Sequence, residues 1–116
     1  MKEEDTVQPE SRNGGAAIQI VNEAVAETLW ELGRAADESG LTRDDVMRYC
    51  EAGLMQTFVV EKRETLYLDE NGLYRLKQIR YLMEVEGVNP EGVHIIVQLL
   101  RRLQHADREL RFLRDR

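Results

Sequence analysis

Asp44 and Asp45 stand side by side with Glu51 seven residues further on, and paired carboxylates are the first place to look for acid–base chemistry. Catalysis by such a pair needs more: a nucleophile–base constellation, a phosphate-cradling glycine loop or a metal triad. The chain offers none of these in sequence. Its single cysteine, Cys50, cannot form an intramolecular disulfide. With only His94 and His105 towards the C-terminus, a thiolate metal site there is excluded. Neither enzyme activity nor a cofactor nor a metal is therefore expected. The chemistry that remains is recognition by charge. Glu31, Asp37, Glu38 and Glu51 enlarge the acidic surface around the aspartate pair, with Met47 and Leu54 as apolar contacts between the acids. The aspartates also favour the positive end of their own helix, by about 0.3–1 kcal/mol each.

The whole chain has the same sign. Its 116 residues carry a formal net charge of -6, whereas nucleic-acid binders draw affinity from a basic field that neutralises phosphates. The balance favours a basic protein partner. Apolar residues make up 42% of the chain, enough for one modest core, and charged residues 33%, which marks a soluble composition. No apolar run approaches the roughly 18 residues of a membrane span. The polar, acidic start MKEEDTVQPESRNGG has no signal-peptide character, so the cytoplasm is the simplest compartment.

The elements that must position the acids are legible from spacing. Residues 1–15 have no hydrophobic period and read as a disordered lead-in to a domain over 16–88. Residues 16–30 stay open between a short helix and an edge strand, with Trp30 expected to plug the space between this segment and the first helix. Leu32, Ala35 and Ala36 share one side of a short helix ended by Gly40. Thr42 is placed to cap the next helix, whose apolar stripe is Val46, Tyr49 and Cys50 and which Gly53 closes; Tyr49 and the Cys50 thiol are expected in the core. This is a helix-turn-helix. Phe58–Val60 and Thr65–Leu68 flank the charged tip Glu61-Lys62-Arg63-Glu64 as a hairpin wing. Asp69 then caps a helix that buries Leu73, Leu76, Ile79, Leu82 and Met83 and stops at Gly87.

Asn89 and Pro90 open a last helix with no breaker before the C-terminus, and residues 89–116 are assigned to it. Val93, Ile96, Val97 and Leu100 suit packing on the globular part. Leu99, Leu103, Ala106, Leu110 and Leu113 then repeat in alternating steps of four and three, the heptad seam of a coiled coil. So small a domain cannot cover that seam, and a homodimer is expected. Arg101, Arg102, Arg108, Arg111 and Arg114 fall mostly off the seam, where they keep a coiled coil soluble.

The segment GLTRDDVMRYCEAGLM from Gly40 to Met55, followed by Tyr67-Leu68-Asp69-Glu70, resembles the MerR-like winged helix-turn-helix proteins over residues 30–116. The resemblance implies a mainly α fold with a small hairpin wing and a long C-terminal dimerisation helix. Within that superfamily the acidic recognition helix, the wing's aromatic-hydrophobic-Asp ending and the close GVNPEGVHIIVQLLRRLQHADRELRFLRDR resemble the chaperone-modulator (CbpM) family. That likeness implies binding to the J-domain of a DnaJ/CbpA-like co-chaperone and inhibition of its work with DnaK. The expected contact residues are Asp44, Asp45, Met47, Arg48, Glu51 and Leu54. DNA-binding MerR proteins place arginines where Asp44 and Asp45 stand, which puts carboxylates against phosphates and disfavours DNA. If DNA were nevertheless the partner, Arg43, Arg48, Lys62 and Arg63 would touch it, supported by Arg75, Lys77 and Arg80.

Overall fold

A computed structural model describes residues 18–115, and the expected tail over 1–15 lies outside the described residues. In chain order the elements are β1 (Ile18–Val21), α1 (Glu23–Ala26), β2 (Trp30–Glu31), α2 (Leu32–Ser39), α3 (Arg43–Glu51), β3 (Thr57–Val60), β4 (Leu66–Leu68), α4 (Glu70–Glu84) and α5 (Pro90–Arg114). The helix-turn-helix, the wing and the long final helix all form. Each of the last three helices starts where a short polar side chain accepts a backbone N–H: Thr42 from Asp45 (3.0 Å), Asp69 from Gly72 (2.9 Å) and Asn89 from Gly92 (2.7 Å). At the end of α2, Gly40 has φ 81°, and the Arg80 guanidinium lies so close that a Cβ there would sit 2.6 Å from its Nη1. Only glycine meets both demands without strain.

Within the segment left open by the sequence, the described residues from Ile18 onward supply two strands and a helical turn that widen the wing. The sheet order is β1-β3-β4-β2. β1 runs parallel to β3 with Ile18 opposite Thr57, and β2 pairs antiparallel with β4, Trp30 opposite Leu68. The wing is therefore the centre of a four-stranded sheet rather than a free hairpin. Trp30 does not plug the expected gap. It is half-buried against the main core, donates from Nε1 to Glu70 at 3.0 Å and carries the Arg34 guanidinium 5.4 Å from its ring centre.

Two apolar clusters hold the chain together. The larger joins Leu32, Ala35 and Ala36 of α2, Val46 of α3, Leu73, Leu76 and Ile79 of α4, and Val93 and Val97 of α5. The smaller packs α1 and β1 on the outer sheet through Ala26, Phe58, Val60 and Tyr67, with Val21 and Leu29 beside them. Tyr49 and Cys50, expected in the core, reach only its margin and stay half-buried. α3 is short, so its two last apolar positions overhang the cluster that Val46 enters fully. Burial still dominates at Cys50 and pushes its thiol up; Glu51 adds to this and a hydrogen bond with Thr57 opposes it. Among the described residues no helix is long and apolar enough to cross a membrane.

Two outcomes follow from this packing. Leu76 has no exposed surface, so Leu76→Ala is expected to lower the unfolding free energy by about 2–5 kcal/mol in urea titration with the m-value unchanged; an unshifted midpoint would remove it from the core. Alkylation of Cys50 by iodoacetamide at neutral pH is expected to be slower in the folded chain than in urea, because the thiolate is the reactive form; equal rates would contradict the margin position.

Candidate interaction surface

Helix α3 turns Val46 inward and leaves Arg43, Asp44, Met47, Arg48 and Glu51 on its outer side. Asp44 and Asp45 occupy its first turn, as expected. Asp45 is partly covered and pairs with Arg48 one turn later. Met47 stays exposed between the charges. Leu54 does not join them. Gly53, with φ 76°, turns the chain back under α3, and the Leu54 N–H bonds to the Tyr49 carbonyl at 3.1 Å. The Leu54 side chain is thereby 1% exposed and belongs to the core, which corrects its place among the expected contact residues.

Of the cations expected to serve DNA binding, Arg48 and Arg63 are paired with carboxylates within the fold, while Arg43 and Lys62 stay exposed. Arg43 lies across Gly33 of α2; a Cβ on that glycine would come 2.1 Å from the Arg43 Nη1. Arg48 is held by Asp45. At the wing tip Arg63 donates to both oxygens of Glu23 in α1 at 2.6 and 3.2 Å and to the Tyr67 hydroxyl at 2.8 Å. The Arg63 bond holds the Glu23 carboxyl below its ordinary range, and the Glu23 carboxylate in turn strengthens the hold of Arg63 on its proton. Both groups face water, so screening keeps the stabilisation small. Lys62, at φ 69°, stays exposed beside them.

On α4 the same pattern continues. Arg80 pairs with Glu84 at 3.1 Å, and Lys77 is exposed. Arg75 was expected at the surface and is 7% exposed instead, bonded to Gln78 at 2.7 Å and to Gln104 of α5 at 3.0 Å. It joins two helices and is not free to reach a phosphate. Beside the paired Arg48, Arg63 and Arg80, the acids Asp37, Glu38, Asp44 and Glu51 stand exposed on the helix-turn-helix.

Helix α5 runs 25 residues, about 37 Å, and only its first half docks on the core. Leu99, Leu103, Leu110 and Leu113 are each more than half exposed, and Ala106 is exposed with them. They line one face, as the heptad spacing requires. Ile95, also more than half exposed, extends that stripe by a turn. The heptad assignment, which begins at Leu99, did not include Ile95, although it precedes Leu99 by a step of four. His94 is half-buried, and His105 lies exposed 3.2 Å from Glu109. Among the described residues no group of three or more His, Cys, Asp or Glu is placed to hold a metal.

The role of Glu23 was out of reach of sequence reasoning, since its partner Arg63 lies forty residues away. The inward turn of Arg101, whose Nη1 donates to the Leu54 carbonyl at 3.3 Å, was equally hidden, because its position on a charged helix reads as solvated.

Comparison with curated proteins finds no match, and comparison with solved structures finds none either. The family described as MerR HTH family regulatory protein matches residues 31–115, a span that holds the helix-turn-helix, the wing and the long helix and that leaves β1 and α1 ahead of it. A match over that much of the chain, on a fold with the same order of elements, makes this chain a member of the MerR helix-turn-helix family.

Proposed function

We propose that this MerR-family chain is a dimeric protein-interaction module rather than an enzyme, and that its helix-turn-helix heads take a basic helix. The J-domain of a DnaJ-like co-chaperone is the partner of choice, and occupation of that helix would block its work with DnaK. The choice of partner rests on the resemblance to chaperone modulators. One observation supports the charge of the partner: Arg48, Arg63 and Arg80 are tied to carboxylates, while Asp44 and Glu51 face water beside the exposed Met47. A phosphate backbone would meet few available cations and two unscreened acids. A lysine- and arginine-rich helix would meet complementary charge and an apolar anchor.

The exposed stripe on α5 supports the dimer. Left uncovered, it would keep five large apolar residues from Ile95 to Leu113 in water on a single helix face, and pairing with a second copy buries them.

The double change Leu103→Asp with Leu110→Asp is expected to halve the sedimenting mass while leaving the helical circular dichroism of the domain in place. An unchanged mass would remove the stripe from the interface. Asp44→Lys with Glu51→Lys is expected to weaken J-domain binding by about tenfold or more and to flatten its salt dependence. Full affinity in that variant would overturn the assigned face. Specific duplex binding with a steep salt slope, together with indifference to J-domains, would make the chain a DNA-binding MerR regulator instead.

A further inference from the structure

The tip of the wing carries two bases, Lys62 and Arg63, between two acids, Glu61 and Glu64, so its own charges cancel. A further charge reaches it from the segment ahead of the family match. β1 stays in register with β3 to its end, Val21 opposite Val60, and the Val21 carbonyl accepts the Glu61 N–H at 2.9 Å. Asn22 then caps α1 by accepting the Val25 N–H at 3.3 Å, which puts Glu23 in the first turn of that helix, beside the tip. Ala26, which is buried, fastens α1 to the smaller apolar cluster. Strand pairing, a cap and burial thus fix the place of Glu23 before its charge is considered.

We infer that Glu23 is a specificity-determining residue: it occupies Arg63 where a phosphate would, and so withholds the wing from nucleic acid. The two Glu23 oxygens accept from Nε and Nη2 of Arg63 at 3.2 and 2.6 Å, the same two-bond fork with which a guanidinium meets a phosphate. The remaining nitrogen, Nη1, donates to the Tyr67 hydroxyl at 2.8 Å, and the guanidinium carbon lies 5.9 Å from the Tyr67 ring centre. Arg63 is therefore turned back along the sheet, although its side chain is nearly half exposed. With Glu23 added, three carboxylates stand against two cations at the tip, a field that repels a phosphate backbone.

An exposed ion pair holds a fold together only weakly, and β1 and Ala26 already anchor this segment. The consequence of the pair is for binding. The inference deepens the reading of the chain as a protein-interaction module, by naming a residue that excludes the other class of partner. It calls on neither Asp44 nor Glu51, so failure of either reading leaves the other standing.

Fluorescence anisotropy of the full chain with a labelled, mixed-sequence DNA duplex tests it, at about 50 mM and about 200 mM salt. Glu23→Gln keeps the shape of the side chain and removes its charge. It is expected to bind the duplex about three- to tenfold more tightly than the unaltered chain at the lower salt, and to steepen the salt slope by about 0.9, the contribution of one phosphate contact. Glu27→Gln removes the same charge from the other end of α1 and is expected to leave affinity within about twofold. In a chain that also carries Arg63→Ala, Glu23→Gln is expected to change nothing. Helical circular dichroism is expected to coincide for all these variants, since the pair is exposed. An unchanged or undetectable duplex affinity in Glu23→Gln, an equal gain in Glu27→Gln, or a gain that persists without Arg63 would overturn the assignment.

Discussion

The insertion of Val93 and Val97 into the cluster formed by α2, α3 and α4 is the contact on which the remaining architecture depends. Both valines have no exposed surface, and they meet Leu32, Val46, Leu76 and Ile79 in one apolar body. Each fully buried side chain of this size stabilises by about 1.5–3 kcal/mol, so a few of them fix the rotation of α5 about its own axis. Once that rotation is set, every later residue of the helix has its direction. The leucine stripe must point to solvent, and Arg101, Gln104 and Arg108 must point back towards the sheet. A helix in water has no preferred rotation; this one has.

A second constraint is electrostatic and acts through pairing rather than total charge. The chain carries 16 basic residues, ample for a nucleic-acid surface if they were available. The fold divides them. Some lie beside acids in the same helix or across the sheet, and others, Arg75 and Arg101, turn inward to bond with neighbouring elements. The contribution of Glu23 illustrates the point, because it lies in a segment ahead of the family match and neutralises the wing's Arg63. An exposed ion pair of this kind adds little stability. Its effect is on the field that a partner meets.

The parts legible in the sequence were those governed by local rules. Caps at Thr42, Asp69 and Asn89, left-handed glycines at 40, 53 and 87, and the period of the apolar residues all act within a few residues of chain. They place the helices and the wing without knowledge of the rest. The strand β1 was not legible, since its parallel partner lies far along the chain and a four-residue apolar run serves a helix or a strand equally well. Leu54 and Arg75 were misjudged for one shared reason. Residue type predicts average exposure, whereas the reversal at Gly53 and the crossing of α5 over α4 decide the exposure of these two side chains.

The sequence by itself determined the last four helices, their order and their capped starts, the hairpin, the heptad stripe and the acid pair at the front of α3. Tertiary structure alone decided which charges remain available and which are engaged. The physical reason is range. Backbone propensity, capping and periodicity operate over about one helical turn, while ion pairing and burial depend on distances between segments that only the assembled core brings together.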